Sequence, residues 1–182
     1  MFMKVAIGQD SHRFVGAGAG AGGAADAGGA GRRPLLLGGV EFSGAPPLFG
    51  NSDADVVLHA LCNAISGVTG VNILGSAADK MCLEDGITDS AAYVKEAMRH
   101  LSGGHIAHAS FSIECARPAI SPRIMEMRRS IAGILGIDIS GVCITATSGE
   151  GLTDFGRGLG IQALCIVTAV HGGGSQQTGG AR

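Results

Sequence analysis

Residues 16–31 are almost wholly glycine and alanine, broken only by Asp26. A tract of this kind has nothing with which to build a core, so ordered structure must lie on either side of it. It is read as a flexible insert within one domain, because an apolar strand pattern precedes it and another follows. The tail, residues 172–182, is Gly, Ser, Gln and Thr with a closing Ala-Arg, and is expected to be disordered. About 155 residues remain, enough for one core and too few for two ordinary domains. The domain is therefore expected over residues 1–171.

Charge and composition exclude several classes. The net charge is −2, from 13 basic and 15 acidic residues, and there is no basic stripe for nucleic acid. No Trp, one Tyr and only 6 Phe argue against a base-stacking platform. No apolar run approaches the ~20 residues that span a bilayer. Met1-Phe2-Met3-Lys4 has no leader-like apolar stretch, and a cytoplasmic location is the expectation. Cys62, Cys82, Cys115, Cys143 and Cys165 include no C-x-x-C pair, which argues against a disulfide frame or thiolate knuckle. Cys115, Cys143 and Cys165 fall in strand-like runs and are read as small core residues.

Periodicity then gives the elements. Residues 4–8 form an apolar strand that runs into Gln9-Asp10-Ser11-His12. Residues 35–42 read as a second strand, and the Gly- and Pro-containing stretch 43–50 as a turn. A helix is expected from Ser52, with Ser52 and Asp55 as a capping box. Val57, Leu61, Ala64, Ile65 and Val68 give its buried face. Asp55, His59 and Asn63, spaced by four, give a polar stripe. Residues 71–88 read as loop, followed by a helix from Thr88 or Ser90 to Leu101. Alternation marks a strand over 107–115, and Ser121-Pro122 opens a third helix, with Ser as cap, ended by Gly136. Strands over 142–147 and 161–170 flank a glycine-rich connector. The order β, β, α, α, β, α, β, β predicts the α+β class, a single sheet of about four or more strands with helices packed on one face.

Three groups of residues carry chemistry. Asp10 and His12 are two apart beside a strand, where i and i+2 point the same way, and His59 on the polar stripe offers a third ligand. One carboxylate and two imidazoles with an open position suit a catalytic zinc ion acting as a Lewis acid on phosphate. The bland alternative is a chance D-x-H and a hydrogen-bonded helix histidine. Thr147-Ser148-Gly149-Glu150 can cradle phosphate oxygens, with Glu150 on a hard cation such as Mg²⁺, or can be an ordinary loop with a solvated Glu. Arg157 in Gly-Arg-Gly can meet an anion or make a structural ion pair. The stretch 118–122 can wall a nucleobase or simply lead into a helix.

The segments IGQDSHRF, LLLGGVEF, NSDADVVLHAL, TDS and ATSGEGLTDFGRG occur in that order between residues 7 and 158. Together they resemble the 2-C-methyl-D-erythritol 2,4-cyclodiphosphate synthase family of non-mevalonate isoprenoid (terpenoid) biosynthesis, from about Lys4 to Val170. The resemblance implies a metal-dependent phosphorus–oxygen lyase. Such an enzyme cyclises 4-diphosphocytidyl-2-C-methyl-D-erythritol 2-phosphate and releases CMP. It implies zinc on Asp10, His12 and His59, and Mg²⁺ or Mn²⁺ on Glu150. Asn51 and Ser148 take the catalytic positions. Substrate contacts fall on Asp10, Ser11, His12, Asn51, Ser52, Asn72, Asp79, Ala116, Pro118, Ile120, Ser121, Ala146, Thr147, Ser148 and Glu150. It further implies a homotrimer with active sites shared between subunits. Phe155 and Arg157 would lie near the three-fold axis, where an isoprenoid diphosphate could bind.

The chain departs from the family pattern at several places. Asn51 stands where His is usual, Asn72 where Asp is usual and Ala119 where Lys is usual. Residues 75–85 replace the usual Phe-Pro-Asp loop, with Asp79 keeping the usual offset from position 72. These departures motivate an alternative reading, a non-catalytic trimer that binds an isoprenoid diphosphate or nucleotide. A third reading is a zinc phosphohydrolase built on D-x-H.

Overall fold

The computed structural model describes residues 1–17 and 33–172. The Gly/Ala insert beyond Ala17 and the tail beyond Gly172 lie outside the described residues. Among the described residues, six strands and four helices follow in chain order: β1 (Phe2–Arg13), β2 (Leu36–Leu37), β3 (Val40–Glu41), α1 (Val56–Thr69), α2 (Ser76–Leu83), α3 (Ser90–Arg99), β4 (Gly104–Glu114), α4 (Ile124–Leu135), β5 (Val142–Thr147) and β6 (Gly160–His171). Short 3₁₀ turns sit at Ser121–Arg123, Ile139–Gly141 and Gly149–Gly151.

The main sheet has the order β1-β6-β4-β5. β6 is antiparallel to both β1 and β4, and β4 runs parallel to β5. β1, β4 and β5 therefore all end at the same end of the sheet, with β1 and β5 at opposite edges. Period-two alternation sends Ile161, Ala163, Cys165, Val167 and Ala169 of β6 into the core, together with Ala109, Phe111 and Ile113 of β4. α1 covers β1 and β6, α3 packs on α1, and α4 lies over β5, all on that one face. The other face carries Met3, Val5, Ile7 and Ile166, which are 65, 66, 62 and 45% exposed.

The expected class and sheet are present, and several local expectations are corrected. β1 is longer than residues 4–8, so Asp10 and His12 lie within the strand. Residues 35–42 are a tight hairpin: Gly38 and Gly39, with φ of 62° and 75°, supply the two positive angles a two-residue turn needs. Helix α1 is capped by Asp55, which accepts from the Val57 and Leu58 amides, so Ser52 is not its cap. Asp55 also takes the Gly38 and Gly39 amides at 2.8 and 2.6 Å, tying the hairpin to the helix. Thus Asp55 does not belong to a polar stripe with His59. Residues 76–83 are helix α2 where a loop was expected. Helix α3 ends at Arg99, two residues short of Leu101. Ser121 lies in a 3₁₀ turn and does not cap α4. A bulge between Ile106 and His108 buries Ile106 and exposes Ala107. Cys143 is exposed on the open sheet face, whereas Cys115 and Cys165 are buried.

Candidate active site

Asp10 and His12 project from the same face of β1, and His59 comes from the end of the first turn of α1 against it. His12 Nε2 and His59 Nδ1 each lie 2.9 Å from Asp10 Oδ2, and the two ring nitrogens are 3.2 Å apart. The outward ring nitrogens have other partners. His12 Nδ1 is 2.8 Å from the Phe49 carbonyl, to which it can only donate. His59 Nε2 is 2.9 Å from Ser90 Oγ. With those protons directed outward, three lone-pair-bearing atoms face one point, which is repulsive without a proton or a cation between them.

The donor set fits a divalent metal. Ligand atoms bound at about 2.0–2.1 Å around a tetrahedral ion sit about 3.3 Å apart, close to the separations here. Both histidines use the second nitrogen to fix ring orientation, as metal-bound imidazoles do. Among the described residues this is the group of His, Cys, Asp and Glu side chains positioned to share an ion. Electrostatics agree. When protons on the imidazoles, and no ion, face Asp10, burial works against its charge, but hydrogen bonds from His12 and His59 outweigh it and hold the carboxyl well below its usual range. Burial also opposes charge on His12, and the Asp10 carboxylate overcomes it, raising the imidazole above its usual value.

The three side chains open into a cavity of about 380 Å³ that is also lined by Asn51, Ser52 and Asp79. Phe49, Gly50, Leu74, Cys82 and Tyr93 are also among its walls. Asn72 is exposed and does not line this cavity. Ser11 points to the opposite face of β1. It lines a second cavity of about 350 Å³ with Phe155 and Leu159. Arg157 is exposed and pairs with Asp154 at 2.6 Å. Asn63 does not join the metal group; it donates to the Gln9 carbonyl at 3.0 Å and so fastens α1 to β1.

The remaining candidates gather at the ends of the parallel pair β4 and β5. Ala146 and Thr147 lie opposite Ile113 and Glu114, and the Cys115 amide donates to the Thr147 carbonyl at 3.1 Å. Thr147 Oγ1 accepts from the Gly149 amide at 3.2 Å, and Ser148 Oγ accepts from the Glu150 amide at 3.4 Å. Both hydroxyl protons stay available to an anion. Glu150, exposed and left-handed (φ 49°), presents its carboxylate to solvent. Ala116 and Ser121 are exposed, Pro118 is half-buried and Ile120 is buried. This group and the metal group share one end of the sheet but occupy opposite edges, three strand spacings or about 14 Å apart.

A model of the YgbB family matches residues 3–170. The chain belongs to this family. Curated relatives that it resembles bear the name 2-C-methyl-D-erythritol 2,4-cyclodiphosphate synthase. That of Chlamydia abortus is 46% identical over 169 residues, covering 92% of this chain and 89% of its own. That of Chlamydia muridarum is also 46% identical, covering 92% and 88%. Among solved structures, the bifunctional IspDF of Campylobacter jejuni superposes with a TM-score of 0.78 at 25% identity, over 94% of this chain and 43% of that one. The Plasmodium vivax cyclodiphosphate synthase gives 0.72 at 21% identity, over 94% and 99%, which speaks to the fold. The Plasmodium falciparum IspF, solved as a CDP complex, gives 0.72 at 20%, over 93% and 96%.

Within this YgbB-family chain, the residues that hold the ligands in place carry little signal in the sequence. Phe49 acts through its backbone carbonyl, which leaves no side-chain signal. Asp53 and Ser90 lie in the NSDADVVLHAL and TDS segments, which by themselves give them no role. Arg33 stands just after the Gly/Ala insert and outside any of the motifs. Its guanidinium donates to the carbonyls of Gly50 (2.8 Å), Asn51 (3.1 Å) and Ser52, all of which line the cavity. No helix among the described residues is long and apolar enough to cross a membrane.

Proposed function

We propose that this chain is an enzyme that converts 4-diphosphocytidyl-2-C-methyl-D-erythritol 2-phosphate to 2-C-methyl-D-erythritol 2,4-cyclodiphosphate and CMP. One observation carries the reading. In a chain 46% identical to synthases of that name, Asp10, His12 and His59 turn three acceptor atoms toward one point in the lining of a cavity of about 380 Å³.

In the reaction an oxygen of the 2-phosphate attacks the β-phosphorus. The bond from that phosphorus to the α-phosphate oxygen breaks, and CMP leaves with the electron pair. Little covalent chemistry falls to the protein, so positioning and charge neutralisation dominate. Asp10, His12 and His59 would hold a divalent ion such as zinc, which would supply Lewis acidity toward phosphate. Asn51 donates its amide N–H to the attacking phosphate, in place of a charged imidazole. Thr147 and Ser148 donate hydroxyl protons to the diphosphate, and Glu150 would hold a hard cation such as Mg²⁺ or Mn²⁺, which would neutralise phosphate charge. Asp79 accepts from an erythritol hydroxyl, and Ala116, Pro118, Ile120 and Ser121 form the cytidine wall.

The two residue groups sit on opposite sheet edges, so the complete site forms between subunits of a homotrimer. The exposed apolar face carrying Val5, Ile7 and Ile166 supports that assembly. Phe155 and Arg157 then approach the axis. A cytoplasmic setting fits a substrate of this charge.

Phosphorus NMR of the products tests the reaction. Cyclisation yields CMP and a cyclic diphosphate. A linear phosphate means hydrolysis, and binding with no CMP under any divalent metal means a non-catalytic protein. Either of these contradicts the proposal.

A further inference from the structure

We infer that Ser90 and Asp53 form a positioning relay that selects the metal-binding tautomer of His59. The inference rests on the metal reading of the triad. His59 is 8% exposed and has one nitrogen on each side of the question: Nδ1 toward Asp10 and Nε2 toward Ser90. Which nitrogen holds the proton decides whether Nδ1 can ligate. Nothing in the triad itself settles this, because Asp10 would accept a proton from Nδ1 equally well.

Ser90 settles it. The residue is fully buried at the first position of α3. Its hydroxyl has one proton, and that proton is directed to Asp53 Oδ1, with which Oγ makes a short contact. The Asp53 carboxylate cannot donate in return. Its other oxygen accepts the Ser90 amide at 2.9 Å, and Oδ1 also accepts the Asp55 amide at 3.1 Å. The Asp53 amide closes the loop on the Thr88 carbonyl at 2.9 Å. Ser90 Oγ is thus left with lone pairs only for His59, so Nε2 must carry the proton and Nδ1 the lone pair. Ser52 Oγ is a longer neighbour at 3.4 Å and also accepts, from the Ala54 amide.

The relay has a second effect. A carboxylate one hydroxyl away makes the imidazole a better electron donor, as outer partners of metal-bound histidines do. Asp53 achieves this without becoming a ligand. The segment before α1 and the start of α3 are thereby joined through the ligand on α1.

Zinc titrated by calorimetry into the metal-free full chain, against a competing chelator, tests the inference. Ser90→Ala keeps the backbone bond to Asp53 and should weaken zinc roughly 10- to 100-fold. Ser90→Thr keeps the hydroxyl and should stay within about threefold. Nitrogen NMR of the zinc-loaded unmodified chain supplies a check independent of any variant's folding, and should find the proton on His59 Nε2. Undiminished affinity in a folded Ser90→Ala chain, or a proton on Nδ1, overturns the relay. Absence of zinc binding by the unmodified chain instead contradicts the metal reading beneath it.

Discussion

Gly8 of β1 and Ala60 of α1 meet backbone to backbone. A Cβ built at Gly8 would collide with the Ala60 carbonyl and the Ala64 amide and lie 2.8 Å from the Asn63 carbonyl carbon. This contact is two residues before Asp10 and one residue past His59, so it sets the distance between the ligands on the two elements. Gly8→Ala must push strand and helix apart. We expect a loss of about 1–3 kcal/mol on denaturant unfolding, as for other overpacked sites, together with weaker zinc binding. Unchanged stability would contradict the close approach.

Arg33 holds the wall of the cavity by its backbone. Removing a guanidinium that serves three carbonyls frees the segment carrying Asn51 and Ser52. Arg33→Ala should raise KM by roughly tenfold, the equivalent of about 1.4 kcal/mol, with a smaller change in kcat. Arg33→Lys should recover only part, since an ammonium cannot fork. Steady-state kinetics on the cytidine diphosphate substrate measure both.

The triad predicts opposite pH responses with and without metal. In the metal-free chain the Asp10 carboxyl is depressed below 3.8, so its contribution to stability is present above that value and lost as pH falls. His12 is raised above 6.5, so its contribution is present below that value and lost as pH rises. Zinc needs a neutral imidazole, so its stabilisation grows with pH. The gap between zinc-loaded and metal-free melting temperatures should widen from about pH 6 to about pH 8. A gap that narrows over this range would contradict the assignment of His12.

The open sheet face makes a separate prediction. Ile7 and Ile166 are register partners there, both solvent-exposed in the single chain. Ile7→Glu should convert a trimer to monomers in sedimentation and abolish turnover, while leaving the fold unchanged by circular dichroism. An unmodified chain that sediments as a monomer with full activity would rule out shared sites.

Much of this was legible in the residues. Alternation around Phe111 and Ile113 marked β4, and helical spacing around Leu61 and Ile65 marked α1, because both patterns report one buried face. Asp10 and His12 were legible as a pair since strand geometry makes i and i+2 neighbours. What failed depended on contacts distant in sequence. Ser52 looked like the helix cap until the hairpin amides of Gly38 and Gly39 claimed Asp55 as their acceptor. Helix α2 gives no periodic signal, because Ala78 is its one buried residue. Ser90 carried no sign of its role, because a buried hydroxyl becomes informative only when its neighbours are known.

The most direct measurement is metal content per chain, taken for the unmodified protein and for His59→Ala under conditions that keep zinc at its strongest sites. The account predicts one tightly held zinc per chain in the first and a large loss, together with loss of CMP release, in the second. Full zinc and full CMP release in His59→Ala would contradict the claim that these three side chains hold the ion on which the reaction depends.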